Sequence, residues 1–455
     1  MELTKVHRQS LRATLARLAQ SGELKLLTTA IQRDYELAAC LVVESGSCLR
    51  FDNIVGTDMP VVGNLLTSIA RIADELGVAR ENLQTWINAA IAKPLPHRIM
   101  DSGPCQETIV VNPSLLDELP IPRFFEKETG PYITAGAIVA KDALTGRANL
   151  SIARLKPLGG NRALVGIAPN HHLAILGRAA AARGEVLDIA VCVGNHPAVL
   201  VAACLYLGLG DDELEVAGAL LGEPIEVVRC LGSNLVVPSQ CECVIEGTLD
   251  YNDLVEEGPV SEYHGMYETY GSGAVATFQR LTRRSDALFQ VILPGYHPEH
   301  CLLGGVSIAA GLAREARKHV AAVHQVAMGM GGAGRLGAIV SLKAHQPGDA
   351  RKVMFAIWAA VNLVKQVIVV DADVDPWDAD AVAWAIAKRM KSDRDLVVIP
   401  GVRTDRSEPL ATGGTIAKLG IDATCRPQDR ADWTQAVPPP AAIARARQIL
   451  AEVGG

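Results

Sequence analysis

The chain has 455 residues, more than one hydrophobic core usually serves, so two or three domains are expected. Its 49% apolar content, 41 glycines and 24 prolines fit a loop-rich enzyme and exclude a disordered chain or a helical array. A formal charge of −7 without any Lys/Arg block leaves no footprint for nucleic acid or an anionic membrane, and neither is expected as a partner.

In chain order, MELTKVHRQSLRATLARLAQ alternates charged and apolar residues at helical spacing over Met1 to Ala19. It lacks the continuous apolar core of a signal peptide, which points to the first amphipathic helix of a cytoplasmic protein. Further helical patterns at Val61 to Leu76 and Arg80 to Ala92, with a strand at Leu37 to Val43, predict a small α/β domain over residues 1–105. From 106 to 305 the signal is short strands and turns: ITAGAIVAKD, ANLSIARLKPL, LDIAVCVG, EVVRCLG, CECVIEGTL, AVATFQRLTR and ALFQVIL. Helices at His171 to Arg183 and Pro197 to Leu207 interrupt them, which predicts a barrel-type β domain with inserted helices.

Beyond 305, helices at Ser307 to Lys318, Asp349 to Leu363 and Asp378 to Ala387 alternate with strands at Ala338 to Leu342, Gln366 to Val370 and Leu396 to Ile399. That is a second α/β domain over 306–455, with a helical tail at Ala441 to Glu452. The most apolar stretch, Ile189 to Gly210, is broken by Asn195, His196 and Pro197, leaving less than the roughly 20 residues a membrane span needs. The ten cysteines sit in apolar surroundings without a CxxC pair and read as reduced core thiols. Cys241 and Cys243 would share one face of a strand, but no second pair stands at zinc-ligand spacing.

Four constellations carry possible chemistry. GMGGAG has the dinucleotide spacing at Gly329, Gly331 and Gly334, yet the strand pattern RLGAIVSLK follows where a phosphate-holding helix should begin, so a glycine-rich connection is the plainer reading. EEGPVSEYHG sets Glu257 and Glu262 around a Gly-Pro turn, either as solvated loop or as two carboxylates in one pocket whose pKa values are pushed apart. Arg154 is the lone charge inside ANLSIARLKPL, and if buried it needs an anion, for which Glu257 is a candidate. Asn170, His171 and His172 open a helix, where free N–H groups suit a phosphate or a bound metal, although His172 taken singly reads more readily as a cap than as a ligand.

In order along the chain, these pieces resemble the UbiD family of decarboxylases. The resemblance rests on Asn149 with Arg154, on NHH ending in His172, on GSNLVVPSQCE ending in Glu242, and on Glu257-Gly-Pro-Val-Ser-Glu262. VNLVKQVIVVDADVDPWD and AKLGIDAT look like the family's C-terminal signatures. The resemblance implies a multi-domain α/β fold whose central split β-barrel binds prenylated FMN, supplied by a UbiX-type flavin prenyltransferase. It implies a divalent metal, usually Mn2+, on Asn149, His172 and Glu242, with K+ near Ser233 and Glu242. The run from Asn149 through Ser151, Ile152 and Ala153 to Arg154, with His171, His172, Glu242 and Lys365, would line the cofactor. Arg154, Glu257 and Glu262 would be catalytic, Glu262 giving the proton that replaces CO2 on a covalent adduct of substrate and flavin.

Two departures stand out. The turn usually written EGPFGE is EGPVSE here, and YHPEHCLLGGVS keeps a histidine, His300, seen in members that handle heteroaromatic acids. Where some of those carry an arginine for a second carboxylate, this chain has Ile308, which argues for a monocarboxylic aromatic or heteroaromatic acid, with Arg335 as a spare cation. A homodimer or larger even assembly through the C-terminal domain is expected. A flavin oxidoreductase on a split barrel and a silent subunit are the competing readings.

Overall fold

The computed structural model describes residues 7–453 except 143, 427, 430, 431 and 435. The first helix runs Leu11–Gln20, capped by Ser10, and buries Leu11, Thr14, Leu15 and Leu18. The expected start of that helix, residues 1–6, lies outside the described residues. The expected strand at Leu37 to Val43 is instead the helix Glu36–Val43. Leu37 and Leu41, four apart, are both fully buried, while Val42 and Val43 face outward, so helical spacing decides over β-branched content.

The expected helix from Val61 splits: Val61–Gly63 is a strand and only Ile69–Glu75 is helical. Between them Asn64 takes φ 61, and the amides of Asn64, Leu65 and Leu66 converge on Glu299 at 3.0, 2.9 and 3.0 Å. Glu299 is fully buried and lies in the first turn of the helix Pro298–His319, which starts earlier than the sequence pattern indicates. One carboxylate therefore ties the N-terminal unit to the long helix of the C-terminal unit. Phe289–Gln290 adds a further link by pairing parallel with Val61–Val62.

The central sheet runs, in spatial order, Ala148–Ile152, Ala137–Lys141, Leu187–Val193, Cys243–Glu256, Ser272–Arg283, Arg162–Gly166 and Arg154–Gly159, with each neighbouring pair antiparallel. The first and last strands of this order are separated in sequence by Ala153 alone. Two edges joined by one residue must lie together, so the sheet curls into a split barrel. ANLSIARLKPL is thus two strands, and the break between them is the barrel seam.

The C-terminal sheet has the order Val323–Ala327, Gly337–Leu342, Gln366–Asp371, Thr415–Ala423 and Leu396–Arg403, packed by Pro298–His319, Asp349–Ala360 and Ala379–Arg389. The GMGGAG segment connects its first two, antiparallel, strands. A Cβ on Gly334 would fall 2.1 Å from the Cys301 carbonyl oxygen, so this turn is packed onto the long helix, and a strand rather than a phosphate-holding helix follows it. All ten cysteines are free, and Cys241 and Cys243 face different cores because Cys241 precedes the strand. Among the described residues no helix is long and apolar enough to cross a membrane.

Candidate active site

At the seam, Arg154 begins its strand and pairs in register with Gly166. Its guanidinium grips Glu257 bidentately, Nε to Oε1 at 2.6 Å and Nη2 to Oε2 at 2.8 Å, while Nη1 stands 3.7 Å from Glu262 Oε1. Burial opposes the arginine's charge, but Glu257 and then Glu262 outweigh it and raise its pKa. Glu257 is 3% exposed, so losing either partner would strand a buried charge at a cost of about 3–5 kcal/mol. A Cβ on Gly166 would lie 2.8 Å from both Arg154 Nε and Glu257 Oε1, which makes the missing side chain opposite the pair a requirement of the site.

The Glu257 carbonyl accepts from Thr129 Oγ1 at 2.8 Å and Lys156 Nζ at 2.7 Å. Gly258 follows at φ 82, where a Cβ would meet Thr129 Cγ2 at 2.7 Å, so the turn needs glycine on two counts. The chain then forms a short hairpin, Val260–Ser261 against Tyr267–Glu268, closed by the Glu262 amide donating to Met266 O at 3.0 Å. This hairpin returns Glu262 to Arg154. The fold therefore assembles all three residues expected to be catalytic.

On the other edge of the seam, Asn149 is buried, with its Nδ2 3.4 Å from Glu213 Oε1 and its Oδ1 accepting from Ser151 Oγ at 3.2 Å. Glu213 Oε2 accepts from the Leu150 amide at 2.7 Å, and burial pushes its carboxyl up to about 7. Glu213 opens the helix Glu213–Leu221, which was not expected from the sequence. The signal was present: Asp212 caps that helix by accepting from Leu214 N at 2.9 Å, acidic residues fill the first turn, and an apolar run follows. His172 opens the helix His172–Ala181, which packs on the Asn149 strand. His171 before it makes no capping bond; among the described residues its buried Nδ1 has no partner, and burial, then His172, lowers its pKa to about 4.

Glu242 corrects the expected ligand set. Its carboxylate is fully buried against the N-terminal helix, bonded by Arg12 Nε and Nη2 at 2.9 Å each and by the Leu288 amide at 3.1 Å. Asn149 stands three strands across from Gly247, and Glu242 lies five residues beyond Gly247, which separates the two by roughly 20 Å. Ser233 sits elsewhere again, in a turn whose Leu231 and Gly232 amides bond Glu246 at 3.0 and 2.7 Å. Neither Glu242 nor Ser233 is brought to Asn149, because Glu242 precedes the strand Cys243–Glu256 at the end opposite the one that delivers Glu257 to the seam.

Residues 15–90, 98–297 and 301–423 match, in that order, the N-terminal, Rift-related and C-terminal domain models of the UbiD family, 3-octaprenyl-4-hydroxybenzoate carboxy-lyase. The chain belongs to the UbiD family. Among curated relatives, the anhydromevalonate phosphate decarboxylase of Methanothermobacter thermautotrophicus is 34% identical over 87% of this chain and 92% of its own length. The UbiD-class enzyme HmfF of Pelotomaculum thermopropionicum, solved with FMN, is 34% identical with a TM-score of 0.91, covering 94% of this chain and 97% of its own. An evolved dimeric form of HmfF with prenylated FMN is 32% identical with a TM-score of 0.88, covering 95% and 98%. The apo 3,4-dihydroxybenzoic acid decarboxylase of Klebsiella pneumoniae is 26% identical with a TM-score of 0.89, covering 95% and 97%. The chain is thus a UbiD-class decarboxylase, a carboxy-lyase.

In this UbiD chain the C-terminal unit covers the hairpin that bears Glu262. Tyr263 OH donates to Ser407 O at 2.9 Å, Arg406 stacks 4.5 Å from the Tyr270 ring, and Arg154 approaches the same ring at 5.6 Å. Lys365 pairs with the buried Glu408 at 2.8 Å. His300 Nδ1 lies 3.0 Å from the Gly295 carbonyl, which can only accept, so Nδ1 carries the proton and Nε2 is an acceptor. Burial, then the charge of Arg335, lowers the His300 pKa to about 3 and keeps the ring neutral. Ile308 faces the C-terminal core, whereas Arg335 lies across Gly304, 5.0 Å from the Tyr263 ring. Among the described residues Arg335 makes no ion pair, and its Nη1 is buried without a partner.

Gly166→Ala should push the Arg154–Glu257 pair aside. We expect turnover to fall at least roughly tenfold with flavin binding retained; unchanged turnover in a folded variant would show that the pair tolerates displacement.

Proposed function

We propose that this chain catalyses the reversible, prenylated-FMN-dependent decarboxylation of a small aromatic or heteroaromatic acid. The observation that carries the reading is the bidentate Arg154–Glu257 pair with Glu262 held 3.7 Å from the same guanidinium. Bound prenylated FMN would supply the electron sink that no side chain offers. Arg154 orients the substrate carboxylate and keeps Glu257 paired. Glu262, 14% exposed at its side chain, is free to hand a proton to the carbon that has lost CO2, and in reverse to remove it. With both enzymes loaded with prenylated FMN, Glu262→Gln should lower turnover and deuterium exchange into product by about 10². Exchange at the wild-type rate would make Glu262 a structural loop carboxylate.

The donor set beside the seam fits a divalent ion better than the expected one did. Asn149 Oδ1, the Glu213 carboxylate and a His172 nitrogen would offer two oxygens and one imidazole, as a hard octahedral ion such as Mn2+ prefers. The open first turn of the His172 helix and the unpartnered Nδ1 of His171 would face the flavin phosphate, with Lys365 as a further cation. His172→Ala and Glu213→Ala should lose manganese and flavin together, whereas Glu242→Ala should retain both and lose only stability. Metal analysis and flavin absorbance of the three proteins decide it, and retention of metal in Glu213→Ala would return the site to another ligand.

A second reading concerns the substrate. An arginine with a buried, unpartnered nitrogen and no counter-ion among the described residues favours a substrate bearing a second anion, and the half-buried Arg335 is such a residue. The curated relative named for a phosphorylated acid agrees with it. A panel of aromatic acids, with and without a second carboxylate or phosphate, together with non-aromatic unsaturated acid phosphates, separates the two. Arg335→Gln should raise KM by about tenfold for doubly anionic substrates alone; an equal effect on simple aromatic monocarboxylates would remove the second anion from the account.

A further inference from the structure

The segment Arg123 to Thr129 runs behind the catalytic hairpin and touches it repeatedly. Thr129 holds the Glu257 carbonyl at 2.8 Å, and the Lys127 amide donates to Tyr267 Oη at 3.4 Å, with the Lys127 ammonium 5.5 Å from that ring. Between these contacts, Ser261 Oγ donates to Glu128 Oε1 at 2.8 Å, and Glu128 Oε2 accepts from the Phe125 amide at 3.1 Å. Arg123 secures the segment from behind by donating to the carbonyls of Glu126 and Glu128.

Glu128 is unusual in its setting. It is 2% exposed and makes no ion pair among the described residues, so the Ser261 hydroxyl is one of the few donors that stabilise its buried carboxylate. A buried carboxylate short of a donor costs free energy, which makes this hydrogen bond a firm restraint on Ser261. Ser261 ends its two-residue strand, and Glu262 follows it directly. Successive residues of an extended chain point to opposite faces, so fixing Ser261 toward Glu128 turns Glu262 toward Arg154.

We propose that Glu128 is a positioning residue, acting through the Ser261 hydroxyl to set the orientation of Glu262 at the site of proton transfer. The proposal rests on Glu262 being the proton donor. It uses a residue that reaches Glu262 only through the neighbouring Ser261 hydroxyl, and it gives the serine of EGPVSE a function.

The test compares holoenzymes carrying Ser261→Ala, Ser261→Thr, Glu128→Ala and the Ser261→Ala/Glu128→Ala pair, with Glu262→Gln as control. Ser261→Ala should lower kcat and deuterium exchange into product by about tenfold, with KM within about twofold and an unchanged flavin spectrum. Ser261→Thr restores the hydroxyl and should recover most of the rate. The double variant should be no slower than the slower single one, because both remove the same restraint. If Glu128→Ala does not fold, the Ala and Thr variants at 261 still decide the matter. Normal exchange in Ser261→Ala while Glu262→Gln is slow overturns the proposal, as does a Thr variant as slow as Ala. Normal exchange in Glu262→Gln would instead overturn the proton-donor reading on which it stands.

Discussion

The Arg154–Glu257 pair sits where the barrel closes, and most of the site follows from that closure. Arg154 opens one edge strand, Asn149 lies on the other, and Ala153 alone separates the two strands, so the halves of the site are fixed by a covalent step of a few ångströms. Glu257 arrives from the long strand Cys243–Glu256 on the far side of the ladder, and its bidentate grip on the arginine locks the two approaches together. The side chains excluded at Gly166 and Gly258 show how little slack remains around it.

Charge is segregated on the two sides of this seam. Asn149, Glu213 and His172 gather oxygen and imidazole donors at one edge, a surrounding suited to a cation. Arg154 lies at the other edge, while Arg335, Arg406 and Lys365 come from the C-terminal unit, a surrounding suited to anions. His300, kept neutral by burial and by Arg335, is a hydrogen-bonding group whose charge does not change near neutral pH. The C-terminal unit is therefore part of the site, since it supplies Arg335, Arg406, Lys365 and the carbonyl that holds Tyr263.

The short hairpin bearing Glu262 is held from two directions. The segment from Arg123 to Thr129 supports it from behind through Thr129, Glu128 and Lys127, and Ser407 holds Tyr263 from the C-terminal side. A carboxylate at the end of a two-residue strand would be poorly placed without such support, because so short a strand has few hydrogen bonds of its own. Precision in the site thus comes from polar contacts made by residues distant in sequence.

Local chemistry made much of this legible beforehand. The order of Asn149, Arg154, His172, Glu257 and Glu262 along the chain pointed to the family, and Arg154, a lone charge in a strand-like apolar run, would need an anion if buried, for which Glu257 was a candidate. The strands of the central domain, the glycine-rich connection at 329–334 and most helices were readable from periodicity and turn residues, which depend on near neighbours only. Tertiary structure decided the rest. Leu37 to Val43 became a helix because Leu37 and Leu41 had to face one core, and the chain broke at Asn64 because three amides had to reach Glu299. Glu213 took the place beside Asn149 that sequence order had given to Glu242, since which carboxylate reaches the seam depends on strand pairing and on Arg12 claiming Glu242 from across the fold. Residue types and their spacing determined the reaction family; the closure of the barrel determined which side chains meet, because contacts between distant segments have no trace in either segment alone.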